Sequence, residues 1–246
     1  AFPRWAAFTV GWSMLVGLMV AAATVSLGFA RYAGEHVDIP ERVLAWMLLA
    51  VVALVASRGM KQESLFVNIF ATAQVGGLVF LIVIGLDHFG EVSLFHGGGE
   101  SSNTFSGVAS GAALLFFAYI GFDEVVTLSE DTKDPARTIP RALMLALAIS
   151  ALLYVLVAIT AANVLTPEVL AGSDHPLSDM ARHTAGGWAA GVVSVLAIMT
   201  TVDTTLLAVT ASSRIAFGMA ESGDMPNAFA RVSRHVAPRN AVVAVT

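Results

Sequence analysis

Three carboxylates stand where carboxylates are expensive. Asp123 and Glu124 are adjacent inside the apolar stretch 107–128, and Asp203 lies inside the apolar stretch 185–217 with Thr201, Thr204 and Thr205 around it. A charged side chain at the centre of a bilayer costs about 2.5–3.5 kcal/mol on insertion scales. Such a group persists where it faces protein, water or a ligand, and there it can hold a cation or carry a proton. A carboxylate with hydroxyls in one helical turn is a set of hard oxygen donors, suited to a sodium ion or a proton relay. The plain structural alternative is a buried aspartate hydrogen-bonded to those threonines or to another helix. Asp123 also has two readings. It is a protonatable carboxylate beside a binding site, or it is the N-cap of a helix segment, its oxygens accepting backbone N–H bonds. Glu124, one position on, points elsewhere and suits a first-turn charge.

The residues before Asp123 set up a second kind of chemistry. Phe116, Phe117, Ala118, Tyr119, Ile120, Gly121 and Phe122 run straight into the carboxylate. Glycine accepts backbone angles that other residues resist, so a helix break here is expected. The half-helix before a break ends in free carbonyls, and the half-helix after it begins with free N–H groups. Those partial charges match the ammonium and carboxylate of a zwitterion, and Phe116, Phe117, Tyr119 and Phe122 supply apolar walls. The alternative is a continuous helix whose aromatic side chains pack.

The elements that carry these residues follow from composition. The chain has 246 residues, 57% of them apolar and 13% charged. Soluble domains carry about 25% charged residues, so the expected class is an all-α integral membrane protein surrounded by lipid bilayer. The formal net charge of −5 gives no reason to expect a nucleic-acid partner. The absence of cysteine excludes disulfides, thiolate metal sites and cysteine nucleophiles. Nothing in the sequence calls for a metal site or an organic cofactor. A membrane helix needs about 20 apolar residues. Six spans are expected, at 5–30, 43–57, 64–86, 107–128, 142–165 and 185–217, with 241–246 as the start of another. Residues 200–205 read as a polar interruption of the sixth. Thr138, Pro140 and Arg141 read as the start of the fifth, because proline is tolerated in a first turn. The chain does not begin with Met and stops inside an apolar run, so it reads as an internal piece of a longer protein.

The loops give an orientation. With the N-terminal end in the cytoplasm, ten of the 13 basic residues fall inside: Arg4, Arg58, Lys61, Lys133, Arg137, Arg141, Arg214, Arg231, Arg234 and Arg239. Arg31, Arg42 and Arg182 fall outside, and this bias is the positive-inside pattern. Five histidines (His36, His88, His96, His175 and His183) then lie in outer loops and read as solvated residues. The charged inner segments 130–141 and 214–239 read as solvated helix ends.

Two motifs carry a family resemblance. One is Phe116-Phe117-Ala118-Tyr119-Ile120-Gly121-Phe122-Asp123 followed by Ser129-Glu130-Asp131, Lys133-Asp134-Pro135 and Ile139-Pro140. The other is Ser213-Arg214 with Met219-Ala220, Gly223 and Pro226. Together and in this order they resemble the sixth helix, its following loop and the end of the eighth helix of amino acid permeases, in the amino acid–polyamine–organocation (APC) transporters. Gly11-Trp12 resembles the start of the third helix, and Lys61 with Val67-Asn68 resembles the fifth. The resemblance implies helices three to eight of a twelve-helix permease and part of each half of a LeuT-type inverted repeat. It implies that Phe117, Ala118 and Ile120 touch an amino acid. It also brings departures. Gln74 stands where proton-coupled cationic members carry a lysine that occupies a sodium site, Gly17 replaces a third-helix glutamate, and Asp203 replaces asparagine or a small polar residue.

The expectation is therefore a secondary transporter of amino acids or related amines. It is a multi-pass protein of the cell membrane, of the prokaryotic inner-membrane kind, and not an enzyme. Coupling would run through Asp123, Asp203, Thr204 and Gln74, by proton symport, sodium symport or exchange. A non-transporting sensor or subunit on the same fold is the alternative. An intramembrane aspartyl protease would also use two membrane carboxylates. Its motifs fail, because Phe122 precedes Asp123 where glycine is needed, and Val202 precedes Asp203 where tyrosine is needed.

Overall fold

The structure is a computed structural model, and it describes residues 3–34, 37–58, 63–90, 105–117, 121, 134–226, 228–229, 242 and 246. Among these residues every regular element is helical. The chain divides into two compact units, Ala1–Gly77 with Gly187–Thr246, and Leu78–Gly186.

The first unit is built on α1 (Arg4–Gly34), α2 (Glu41–Arg58), the start of α3 (Glu63–Ile84) and α8 (Gly187–Glu221). No proline interrupts α1, and its apolar side chains run all round. Pro40 opens α2, with its carbonyl accepting from the N–H groups of Val43 and Leu44. Glu41 in the first turn complements the positive end of the helix dipole. α1 packs against α2 and α8, and α2 packs against α8. Their shared core joins Leu15 and Ala22 to Leu48 and Val52, and to Ala208, Val209 and Ala216. Much of that core is alanine, so the three backbones lie close.

α8 is 35 residues long, about 52 Å at 1.5 Å per residue and well beyond an apolar layer of about 30 Å. It runs without a break through residues 200–205, where the sequence suggests an interruption. The hydroxyls explain why. Thr201 Oγ1 donates to the carbonyls of Ala197 and Ile198, and Thr205 Oγ1 donates to that of Thr201 at 2.7 Å. Ser212 and Ser213 donate to Val209 and Thr210 in the same way. Thr201, Thr205, Ser212 and Ser213 are thus satisfied within their own helix. The helix stops at Gly223, whose φ of +78° suits glycine. Asp224 N–H bonds the Met219 carbonyl and Gly223 N–H bonds that of Ala220, a Schellman stop.

The second unit holds the end of α3, a 3₁₀ turn at Leu86–His88, α4 (Phe105–Phe117), α5 (Pro135–Val164), α6 (Pro167–Gly172) and α7 (Pro176–Ala185). α5 begins at Pro135, ahead of the span expected from 142, with the Asp134 carbonyl accepting from the N–H groups of Arg137 and Thr138. Pro140 therefore sits inside the helix and costs it one backbone bond. α6 and α7, absent from the hydropathy reading, each start at a proline. α1, α5 and α8 are long and apolar enough to cross a membrane. α5 is apolar all round, and none of its most apolar 18-residue window is buried, which fits a helix facing lipid.

Candidate functional site

The polar centre of the first unit is the pair Gln74 and Asp203. Gln74 lies midway along α3 and Asp203 midway along α8, and Gln74 Nε2 donates to Asp203 Oδ2 at 3.1 Å. Two features of the helices bring them together. Gly77, one turn on from Gln74, is where α3 and α8 touch, since a Cβ there would stand 2.8 Å from Leu196 Cδ1. Only glycine admits that approach without a shift. On the other flank of α8, Gly28 of α1 leaves its Cβ direction 3.9 Å from Thr201 Cγ2. The carboxylate is thus held in a helix contact set by small residues.

The arrangement has definite chemical capacity. An amide that donates through Nε2 still has Oε1 as an acceptor, and the carboxylate has Oδ1. Those oxygens, with the lone pairs of nearby hydroxyls, are the donor types that hold a proton or a hard monovalent cation. Thr201 and Thr205 spend their donor hydrogens on backbone carbonyls. Thr204, the third hydroxyl singled out in the sequence, lies exposed on α8.

The structure treats the aromatic stretch more sparingly. Phe116 is 72% exposed near the end of α4. Phe117 is the last residue of that helix, and its side chain lies outside the description. Gly121 is in a turn with φ +114°, so no α-helix runs through it. Ala118, Tyr119, Ile120, Phe122 and Asp123 lie outside the described residues. Residues 116–121 belong to the second unit and the Gln74–Asp203 pair to the first.

Sequence reasoning gave no role to Gly77 or Asn163. Gly77 left a signal, the Gly76-Gly77 pair in an apolar helix, which marks close backbone approach. Asn163 is a lone amide at the apolar end of α5. It is 6% exposed, accepts from Gly90 N–H at 3.1 Å and donates to the Ile159 carbonyl at 2.8 Å. It ties the segment after α3 to α5. Near the start of the chain Arg4 Nε stands 3.7 Å from Asp224 Oδ1, and Arg4 Nη2 donates to the Ser222 carbonyl.

Comparison with known proteins places this geometry in a context. The family model described as amino acid permease matches residues 1–246. The branched-chain amino acid permease of Bacillus subtilis is 26% identical, over 94% of this chain and 54% of its own length. The methylthioribose transporter of the same organism is 27% identical, over 92% of this chain and 52% of its own. The vacuolar cationic amino acid transporter 4 of Arabidopsis thaliana is 27% identical, over 97% of this chain and 43% of its own. The chain spans about half the length of the curated relatives it matches.

Proposed function

The chain belongs to the amino acid permease family, an all-α membrane family, and from that premise we propose that it is part of a secondary transporter for amino acids or related amines. The substrate would lie at the α4 break, against Phe116, Phe117, Ala118, Tyr119, Ile120, Gly121 and Phe122. Gly121 at φ +114° supports this reading, because α-helix does not run through that residue and a discontinuous helix is where such carriers hold their substrates. The non-enzymatic reading fits the family. The names of the relatives cover branched-chain amino acids, cationic amino acids and methylthioribose, so a free amino acid is the leading substrate class and the thioribose is a control worth including.

The observation that carries the coupling proposal is the hydrogen bond between Gln74 and Asp203 within apolar helices. We assign coupling to that pair, with Asp123 and Thr204 as further candidates, and with a proton or a sodium ion as the coupled ion. Gln74 has no titratable proton, so in a proton-coupled mechanism the proton resides on Asp203. In a sodium-coupled one, the two side-chain oxygens left open contribute ligands. The placement goes with a multi-pass protein of the prokaryotic plasma membrane whose N-terminal end is cytoplasmic, the orientation that the basic residues favour.

The test is uptake by the full-length parent protein in liposomes. Labelled branched-chain, cationic and other amino acids, polyamines and methylthioribose are offered with an inward proton gradient, with an inward sodium gradient, and with neither. Accumulation driven by one gradient identifies the ion. Uptake that needs neither gradient but needs internal substrate identifies exchange. Failure to move any of these compounds removes the transporter reading and leaves a sensor on the same fold.

A further inference from the structure

The amide and the carboxylate at the centre of the first unit each have two polar atoms, and the observed bond uses one of each. Gln74 Nε2 donates to Asp203 Oδ2 at 3.1 Å. The atoms left over, Oε1 of the amide and Oδ1 of the carboxylate, are both acceptors. Two acceptors side by side repel, so the ionised pair is held by one bond. The end torsions of both side chains are broad, so the two planar groups can turn until these oxygens stand opposite each other.

The helices around the pair bring no competing charge to it. The sequence carries no charged or titratable side chain between Arg4 and Arg31 on α1, between Arg42 and Arg58 on α2, or between Glu63 and Asp87 on α3. On α8 the nearest is Arg214, eleven positions on from Asp203 and about 16 Å along the axis. The hydroxyls of Thr201 and Thr205 are given to carbonyls of their own helix.

We propose that a proton bound at Asp203 Oδ1 makes the second contact of the pair. The new O–H donates to Gln74 Oε1, while Gln74 Nε2 keeps its bond to Oδ2, now the carbonyl oxygen of a carboxylic acid. The proton comes from water on the side to which the carrier is open and returns to water on the other side, and no other covalent bond changes. One hydrogen bond between α3 and α8 becomes two, closed into a ring of amide and acid. Gln74 is thus a positioning residue for the transported proton, and the proton ties the two helices together while it is bound. The proposal rests on the assignment of coupling to Asp203 and commits it to a proton, because the second bond needs a hydrogen.

Such a ring is reciprocal. An acid on α3 facing an amide on α8 closes in the same way. Glutamine and glutamate share a shape, as do asparagine and aspartate, so Gln74→Glu/Asp203→Asn exchanges the roles without changing the packing.

The experiment uses the full-length parent protein in liposomes, with the membrane potential clamped and an inward gradient of about one pH unit. One proton per substrate then supports about tenfold accumulation of labelled amino acid. The parent should approach that ratio, and Asp203→Asn should stay near equal concentrations inside and out. The exchanged pair Gln74→Glu/Asp203→Asn should recover accumulation of several-fold. Gln74→Met keeps the titratable group and loses the amide, so it should still swap labelled for unlabelled substrate but not accumulate it. An exchanged pair no better than Asp203→Asn, or a Gln74→Met protein that accumulates like the parent, overturns the proposal and leaves Asp203 as the coupling group. If one of these two variants fails to fold, the other decides. Accumulation in the parent driven by sodium alone overturns the proposal and leaves transport standing. Asp203→Asn that accumulates like the parent removes the coupling assignment and the proposal with it, and a parent that moves none of the compounds removes the transport reading itself.

Discussion

Gln74 and Asp203 are separated by 129 positions in the sequence and joined by one hydrogen bond of 3.1 Å. The bond is directional, amide to carboxylate, and that direction allows structure and coupling to be separated. Asp203→Asn retains an acceptor oxygen, so the contact with Gln74 survives and thermal stability stays close to the parent. The charge and the titratable proton are gone. Gradient-driven uptake should fall to the level seen without a gradient. Unchanged gradient dependence would remove Asp203 as the coupling group, and Asp123→Asn would be the next variant to assay.

Gln74→Leu tests the other end of the bond. It leaves a half-buried carboxylate without its donor, at a cost of about 1–3 kcal/mol. The unfolding midpoint in detergent should drop measurably, and Gln74→Asn/Asp203→Glu, which moves the contact along without deleting either group, should recover part of the loss. A Gln74→Leu protein as stable as the parent would mean that the hydrogen bond contributes nothing.

Gly77 sets the distance between α3 and α8. Gly77→Ala places a methyl 2.8 Å from Leu196 Cδ1, the far end of a flexible side chain, so a small shift absorbs it. Gly77→Leu has no such remedy and should cost about 1–3 kcal/mol as an overpacked contact. Uptake should fall with the larger substitution and recover when Leu196 is replaced by Ala. Failure of Leu196→Ala to rescue would place the damage elsewhere.

Gly85 offers a stricter case. A methyl there would collide with Thr160 Cγ2. Thr160 is fully buried, and its hydroxyl is bonded to the Leu156 carbonyl at 2.7 Å, so its rotamer is fixed. Gly85→Ala should be more harmful than Gly77→Ala. Thr160→Ser, which deletes the clashing methyl and keeps the hydroxyl, should restore it. The comparison is read from thermal melts of the two singles and the double, and additive behaviour would contradict the contact.

Arg4 supplies the contrast. Its ion pair with Asp224 is 3.7 Å long and its side chain is 79% exposed. Exposed pairs of this kind contribute about 0–1 kcal/mol. Arg4→Ala should leave the melting temperature unchanged within error and make it no more sensitive to salt. A drop of several degrees would show that the bond to the Ser222 carbonyl matters to the end of α8.

Much of the helical character was legible because a bilayer imposes one composition over a fixed length. Runs without charge longer than a soluble helix needs have few other uses. What stayed hidden was local or long-range. Residues 200–205 look like an interruption on a hydropathy scale because the scale counts hydroxyls as solvated. In the helix Thr201 and Thr205 donate to carbonyls one turn back. α6 and α7 are short and polar, so hydropathy passes over them, although Pro167 and Pro176 mark their first turns. The Gln74–Asp203 contact could not be read at all. Each residue is an isolated polar group in its own helix, and neither helix's own pattern says that the other faces it. Gly121 was legible for the opposite reason, since a glycine beside carboxylates is a purely local signal. His183 is exposed as expected, whereas the Nδ1 atoms of His88 and His175 are closed off, because loop position says nothing about what closes over a ring.

The back-bonded hydroxyls of α8 bear on how such a helix enters a membrane in the first place. A segment leaving the ribosome has only its own backbone to rely on. With Thr201, Thr205, Ser212 and Ser213 each bonded to a carbonyl in the preceding turn, α8 offers the insertion machinery a largely apolar cylinder whose one mid-helix charge is Asp203. Synthesis proceeds from the N-terminus, so α3 and its Gln74 amide are made long before that carboxylate emerges. The hydrogen-bond donor is already in place when the carboxylate arrives, and chain order itself becomes part of how the protein tolerates an acid in oil.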